Sequence, residues 1–308
     1  MKRRTFCRYL AATAAAAVTK IALPTDAKIF QLRYIVGSSM YGKLPLSEIL
    51  PEVPKTGARH IDIWPEHHAN QREQIQAMGY ERFAAMLEQH QVELGIITRY
   101  DLGSFGLQDE MRIIKKLGGS MVISGSGGPK NLKGPALKSA VREFVEKMKP
   151  HVEAAERTDI TIGIENHANS LMDLPDAIKW FAEFSPSRFL GIALAPYHLP
   201  QEPDLIAGLI EHLDNRLVHF YAWQHGYGCH TKLPKEQELM QLPGRGDLDF
   251  APILAALKKI NYTGWTEVFM HPVPRGIPIM PTAGEVTDQI NHARNYLEKC
   301  LSKDQKRV

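Results

Sequence analysis

Eight short runs rich in β-branched and aromatic residues alternate with amphipathic stretches along this chain, and no other feature constrains its fold as tightly. The runs occupy residues 30–36, 60–64, 93–99, 121–124, 160–165, 189–195, 217–222 and 265–269. They are nearly continuous in apolar character and are followed by polar and turn-forming residues, as parallel strands buried on both faces should be. Between them, residues 73–91, 136–155 and 250–260 carry apolar side chains at helical spacing, for example Ile253, Leu257 and Ile260. Asp173 ahead of Leu174-Pro175 reads as a helix start, and Thr282 with Glu285 has capping-box spacing. Eightfold strand–helix alternation predicts a single (β/α)8, or TIM, barrel, an α/β fold. The rival, a doubly wound open sheet, wants a glycine-rich phosphate turn after an early strand. Neither Val36-Gly-Ser-Ser-Met40 nor Gly125-Ser-Gly-Gly128 matches GxGxxG.

The barrel is expected over residues 28–308, because no proline- or glycine-rich linker divides that stretch. Residues 1–27 read as a cleavable leader of the twin-arginine type. Lys2-Arg3-Arg4-Thr5-Phe6 precedes a short alanine-rich apolar stretch from Leu10 to Val18, and Ala27 is a plausible cleavage point. That stretch is too short to span a bilayer. The expected location is periplasmic or otherwise extracytoplasmic, with no stable membrane insertion after cleavage.

Charge argues against a nucleic-acid partner. The whole chain carries a formal +3, of which residues 1–27 hold a surplus of four, so the remainder nets −1. A phosphate backbone gains no overall attraction from such a surface. Three cysteines, Cys7, Cys229 and Cys300, form no CxxC pair and no zinc-finger spacing, and nothing demands a disulfide.

In a barrel the C-terminal strand ends carry the chemistry. Read that way, the candidates are Trp64, Glu66, His67 and His68 after the second strand and Arg99 after the third. Glu165, Asn166 and His167 follow the fifth strand, and Tyr197 and His198 the sixth. His219, Trp223, Gln224 and His225 belong to the seventh. Pro243-Gly-Arg-Gly-Asp-Leu-Asp249 precedes the eighth, which ends in Glu267 with His271 beyond it. Carboxylates and imidazoles at buried strand ends are costly unless something cationic compensates them.

This pattern resembles the xylose isomerase-like barrel superfamily, in its sugar (phosphate) isomerase/epimerase branch. The likeness is carried by Pro243-Gly-Arg-Gly-Asp-Leu-Asp-Phe250, a following helix, and Gly264-Trp-Thr-Glu267, together with Ile164-Glu165-Asn166 and His219. It implies a divalent metal (Mn, Zn, Co or Mg) held by Glu165, His219 and Glu267. The branch usually places an aspartate ligand at the sixth strand end with a histidine three residues later. Here Ala195-Pro-Tyr-His198 stands instead, so His198 becomes the candidate fourth ligand.

The resemblance further implies proton abstraction beside a metal-bound carbonyl of a sugar or keto-sugar, with Glu165 and Glu267 combining ligation and acid–base work. Trp64, Arg99, His167, Trp223, Arg245 and His271 are the expected substrate contacts, and a small carbohydrate is the expected partner. Two rivals stand beside the isomerase/epimerase reading. A carbanion-type lyase acting on a 3-keto-glycoside would use the same intermediate, and a non-catalytic sugar-binding barrel would account for Ala195. An endonuclease of the related DNA-repair branch is opposed by the charge and the leader.

Overall fold

Eight parallel strands close on themselves in chain order: β1 (Arg33–Gly37), β2 (His60–Ile63), β3 (Glu93–Thr98), β4 (Met121–Gly125), β5 (Thr161–Glu165), β6 (Leu190–Leu194), β7 (Leu217–Ala222) and β8 (Trp265–Val268). Each pairs with its sequence neighbours, and β1 with β8 seals the barrel through Arg33, Tyr34 and Ile35 opposite Trp265, Thr266 and Glu267. The computed structural model describes residues 30–185 and 187–305; the leader expected over residues 1–27 lies outside them. The described residues from Leu32 onward form one compact unit, and it is the expected single barrel.

Helices α1 (Leu46–Ile49), α2 (Gln71–Met78), α3 (Tyr80–Gln89), α4 (Gln108–Lys116), α5 (Gly134–Thr158), α6 (Pro175–Phe184), α7 (Pro203–Leu213), α8 (Lys235–Glu238), α9 (Phe250–Lys259) and α10 (Ala283–Gln305) accompany the strands. Their apolar faces supply the outer core: Phe83, Val141, Phe181, Leu209, Ile253 and Leu257 are all buried. The helix expected over 73–91 is in fact two. Gly79 takes φ +87° between α2 and α3, a left-handed backbone setting that a residue with a Cβ resists. Asp173 does not cap α6 either; the capping position is Leu174, whose side chain has nothing to offer, and Pro175 opens the helix. The capping box of α10 does form, Thr282 N donating to Glu285 Oε2 at 3.0 Å and Glu285 N to Thr282 Oγ1 at 3.3 Å. Asp249 caps α9 by accepting from Ala251 N. Among the described residues no helix is long and apolar enough to cross a membrane.

Two register shifts interrupt the ladders, one between Ile61 and Asp62 against β3 and one between Ile192 and Ala193 against β7. Bulges of this kind re-aim side chains next to functional sites. Both fall on strands that line the polar interior described below.

Candidate active site

A cavity of about 380 Å³ opens among the loops at the C-terminal strand ends. Its walls include Glu165 and His167 from beyond β5, His198 from beyond β6, Trp223 from beyond β7, and His271 and Arg275 from beyond β8, with His68, Tyr100, Cys229 and His230 completing them. Strand β5 brings Glu165 to this place by register: it pairs with Gly125 of β4 and Ala193 of β6, neighbours too small to cover its carboxylate.

Glu165 is 4% exposed and its Oε1 stands 3.6 Å from His198 Nε2. Burial pushes its carboxyl up to about 7, with the His167 imidazole pulling in the opposite direction. Burial also pushes His198 down to about 3. The chain holds this corner rigidly through Asn166. Its Oδ1 accepts from Ala195 N at 2.6 Å and its Nδ2 donates to Ala195 O at 3.1 Å, so one buried amide ties the end of β5 to the end of β6. The rings of His167 and His198 lie 4.0 Å apart at this seam.

The other two expected ligands, His219 and Glu267, meet each other. His219 Nε2 and Glu267 Oε2 stand 3.2 Å apart, both 0% exposed, and neither lines the cavity. Phe269 follows Glu267 by two residues and packs with its ring 5.1 Å from both Trp64 and Trp223. Of these three rings Trp223 lines the cavity, while Phe269 and Trp64 do not. Gly37 is what admits the Glu267 carboxylate, because a Cβ there would lie 2.1 Å from Glu267 Oε1. Burial, then the charges of Asp62 and Glu165, raise the Glu267 carboxyl well above the usual carboxylate range. Burial lowers His219 to about 3.

Asp62 belongs to the same interior. Its Oδ2 accepts from Trp64 Nε1 and Thr98 Oγ1, each at 2.7 Å. Burial lifts it to about 8 in spite of those hydrogen bonds. The sequence reading looked only past the strand ends and so missed it. The alternation His60-Ile-Asp62-Ile, polar against apolar within one strand, was the available signal.

Among the described residues, no three His, Cys, Asp or Glu side chains come together as a group able to hold a metal. The close contacts among the four expected ligands are Glu165 with His198 and Glu267 with His219. Their donor chemistry still suits a divalent cation. Both ring nitrogens of His198 and His219, both oxygens of Glu267 and Oδ1 of Asp62 are buried without a hydrogen-bond partner. Polar atoms in that position are ordinarily satisfied by protein, water or an ion.

The expected substrate contacts divide. His167, Trp223 and His271 line the cavity, and Trp64 lies beside it, 5.9 Å from the His271 ring. Arg99 does not reach it: its guanidinium is taken up by Asp101 and by Glu110, which also binds Arg72. Arg245 is turned to Gln289 of α10. The guanidinium in the cavity is that of Arg275, and the sequence reading stopped short of it at His271.

A sequence profile of the family described as xylose isomerase-like TIM barrel matches residues 50–299. The chain belongs to that family. No curated protein matches the sequence. Among solved structures, the IOLI protein with a bound zinc atom superposes with a TM-score of 0.66 at 15% identity, over 88% of this chain and 99% of that one. An L-ribulose 3-epimerase gives 0.66 at 16% identity over 90% and 97%. The D-psicose 3-epimerase of Clostridium cellulolyticum H10, solved with D-tagatose, gives 0.63 at 14% over 88% and 99%. At such identities the likeness carries the barrel, and membership of the family rests on the profile match.

Proposed function

We propose that the protein is a sugar isomerase or epimerase in which Glu165 moves a proton at a carbon next to the substrate carbonyl. The observation that carries this reading is the position of Glu165, the carboxylate lining the cavity, paired with His198 at 3.6 Å. Solved relatives named as 3-epimerases of ketoses share the barrel, which is consistent with it.

On this reading Trp223 and the His271 edge flank the sugar, and Glu165 takes the proton from the α-carbon. An imidazole of the His167–His198 seam attends the oxygen that gains negative charge. The same carboxyl then returns the proton to the former carbonyl carbon, while the hydroxyl proton of the α-carbon passes through that imidazole to the former carbonyl oxygen. Glu165 lines the cavity and Glu267 does not, so the expected two-carboxylate exchange across opposite faces has one participant at the wall. A same-face transfer between adjacent carbons, the isomerase outcome, fits the side chains best. Glu165, His198, His219 and Glu267 are the residues that would hold a divalent cation, with Asp62 beside them; when bound, such a cation supplies Lewis-acid polarisation of the carbonyl. The leader read over residues 1–27 would place this reaction outside the cytoplasm.

A second reading, a sugar-binding barrel without turnover, is favoured by one observation: Ala195 stands where a carboxylate ligand is expected, and Asn166 locks its backbone in place. The deciding experiment is α-hydrogen exchange with solvent deuterium over a panel of keto- and aldo-sugars. Exchange lost in Glu165→Gln supports the enzyme; sugar binding with no exchange supports the binding barrel. Product analysis of an exchanging substrate then separates isomerase from carbanion lyase.

A further inference from the structure

Arg275 lies in the loop between β8 and α10 and faces the cavity. Its contacts are neutral. Nη1 donates to the Pro272 carbonyl at 3.5 Å and Nη2 to the Cys229 sulfur at 3.0 Å. Among the described residues no carboxylate pairs with it, whereas Arg72 and Arg99 are both paired with acids. A half-buried guanidinium whose protein partners are a carbonyl and a thiol keeps unused donors, and its planar fork matches an anionic oxygen pair.

The surroundings limit which anion fits. His68 and His271 stack at 4.6 Å in the cavity wall. Burial, reinforced by the charge of Arg275, lowers His68 to about 4 and His271 well below the usual histidine range. Both rings are therefore neutral near pH 7, and no lysine lines the cavity. Arg275 supplies one positive charge. A carboxylate matches its single charge and planar fork, while a phosphate monoester brings about −1.5 to −2.

We propose that the ligand of this cavity is an acidic sugar, a uronate or a keto-aldonate, whose carboxylate is held by Arg275. The proposal rests on the carbohydrate reading of the cavity, though not on turnover. It puts the charged substrate contact on a residue of the loop after the eighth strand, where the expected contacts Arg99 and Arg245 are otherwise engaged.

Isothermal titration of the full-length protein tests it with D-galacturonate and D-glucuronate against D-galactose and D-glucose, and with galactose 6-phosphate and inorganic phosphate as the phosphate arm. Charge-assisted hydrogen bonds predict that each uronate binds roughly ten- to hundredfold more tightly than its neutral partner. Arg275→Gln should abolish that preference, and Arg275→Lys should keep part of it, since a lysine retains the charge without the fork. Unchanged thermal unfolding of the two variants excludes a folding effect, and the lysine variant carries the test if the glutamine variant is unstable. Equal binding of uronate and neutral sugar, no binding by any of the six compounds, a preference that survives Arg275→Gln, or tighter binding in the phosphate arm would each overturn the proposal. Uronate preference with no α-hydrogen exchange would leave it standing and count against the isomerase reading alone.

Discussion

His219 Nε2 lies 3.2 Å from Glu267 Oε2 at a depth that solvent does not reach, while Glu165 and His198, the other two expected ligands, face the cavity. Of the two close contacts, one is open to the cavity and the other is fully buried beside Asp62, whose charge and that of Glu165 both act on Glu267.

The buried pair depends on Gly37. Gly37→Ala would drive a methyl into the Glu267 carboxylate, 2.1 Å from its Oε1, and the strand pairing leaves β1 little freedom to yield. We expect a loss of about 1–3 kcal/mol of stability, the usual range for overpacking. Urea unfolding of the variant checks this; unchanged stability would mean that Glu267 moves aside freely.

Asn166 braces the corner where Glu165 meets His198. Asn166→Ala removes both partners of the buried Ala195 backbone groups. Each unsatisfied group costs about 1–3 kcal/mol, so the variant should be destabilised by roughly 2–6 kcal/mol. Asn166→Asp, which keeps the acceptor and loses the donor, should fall between alanine and wild type in the same unfolding measurement.

Ala195→Asp restores the carboxylate that the family resemblance leads one to expect at the end of β6. If the donor set lacks only that group, the variant should bind Mn²⁺ or Zn²⁺ at least about tenfold more tightly than wild type, as expected for a missing ligand or its direct support. Titration of metal-free protein with each ion reads the change directly. Equal affinity in the two proteins would place any cation away from this corner.

Glu110 joins Arg72 and Arg99 below the surface, its side chain 3% exposed. Removing one member of such a buried group leaves charge uncompensated and costs about 3–5 kcal/mol. Glu110→Gln should therefore lower stability while leaving sugar affinity unaltered, since Arg99 holds the fold and not the ligand. A loss of sugar affinity at full stability would return Arg99 to the site.

The barrel was legible because parallel strands buried on both faces leave a simple mark, and the polar residues after them pointed to the correct rim. Glu165, His167, His198, Trp223 and His271 were read from that rule and do line the cavity. What stayed hidden depends on side chains meeting across the barrel. No one-dimensional pattern reveals that Gly37 makes room for the Glu267 carboxylate, or that Glu110, 11 residues beyond Arg99, claims its guanidinium. Gly79 was visible in the sequence and its helix-breaking conformation was not. Asp62 and Arg275 were findable, the first from alternation inside β2 and the second from its place in the last rim loop.

The account turns on Glu165 as the group that moves the proton. Solvent deuterium incorporation at the α-carbon, followed by NMR for wild type and Glu165→Gln with the tightest-binding sugar, tests it most directly. General acid–base catalysis of this kind is worth roughly 10²–10⁴ in rate. The account predicts exchange by the wild type and a loss of that size in the variant, with binding retained. Exchange that continues unchanged in Glu165→Gln would contradict it.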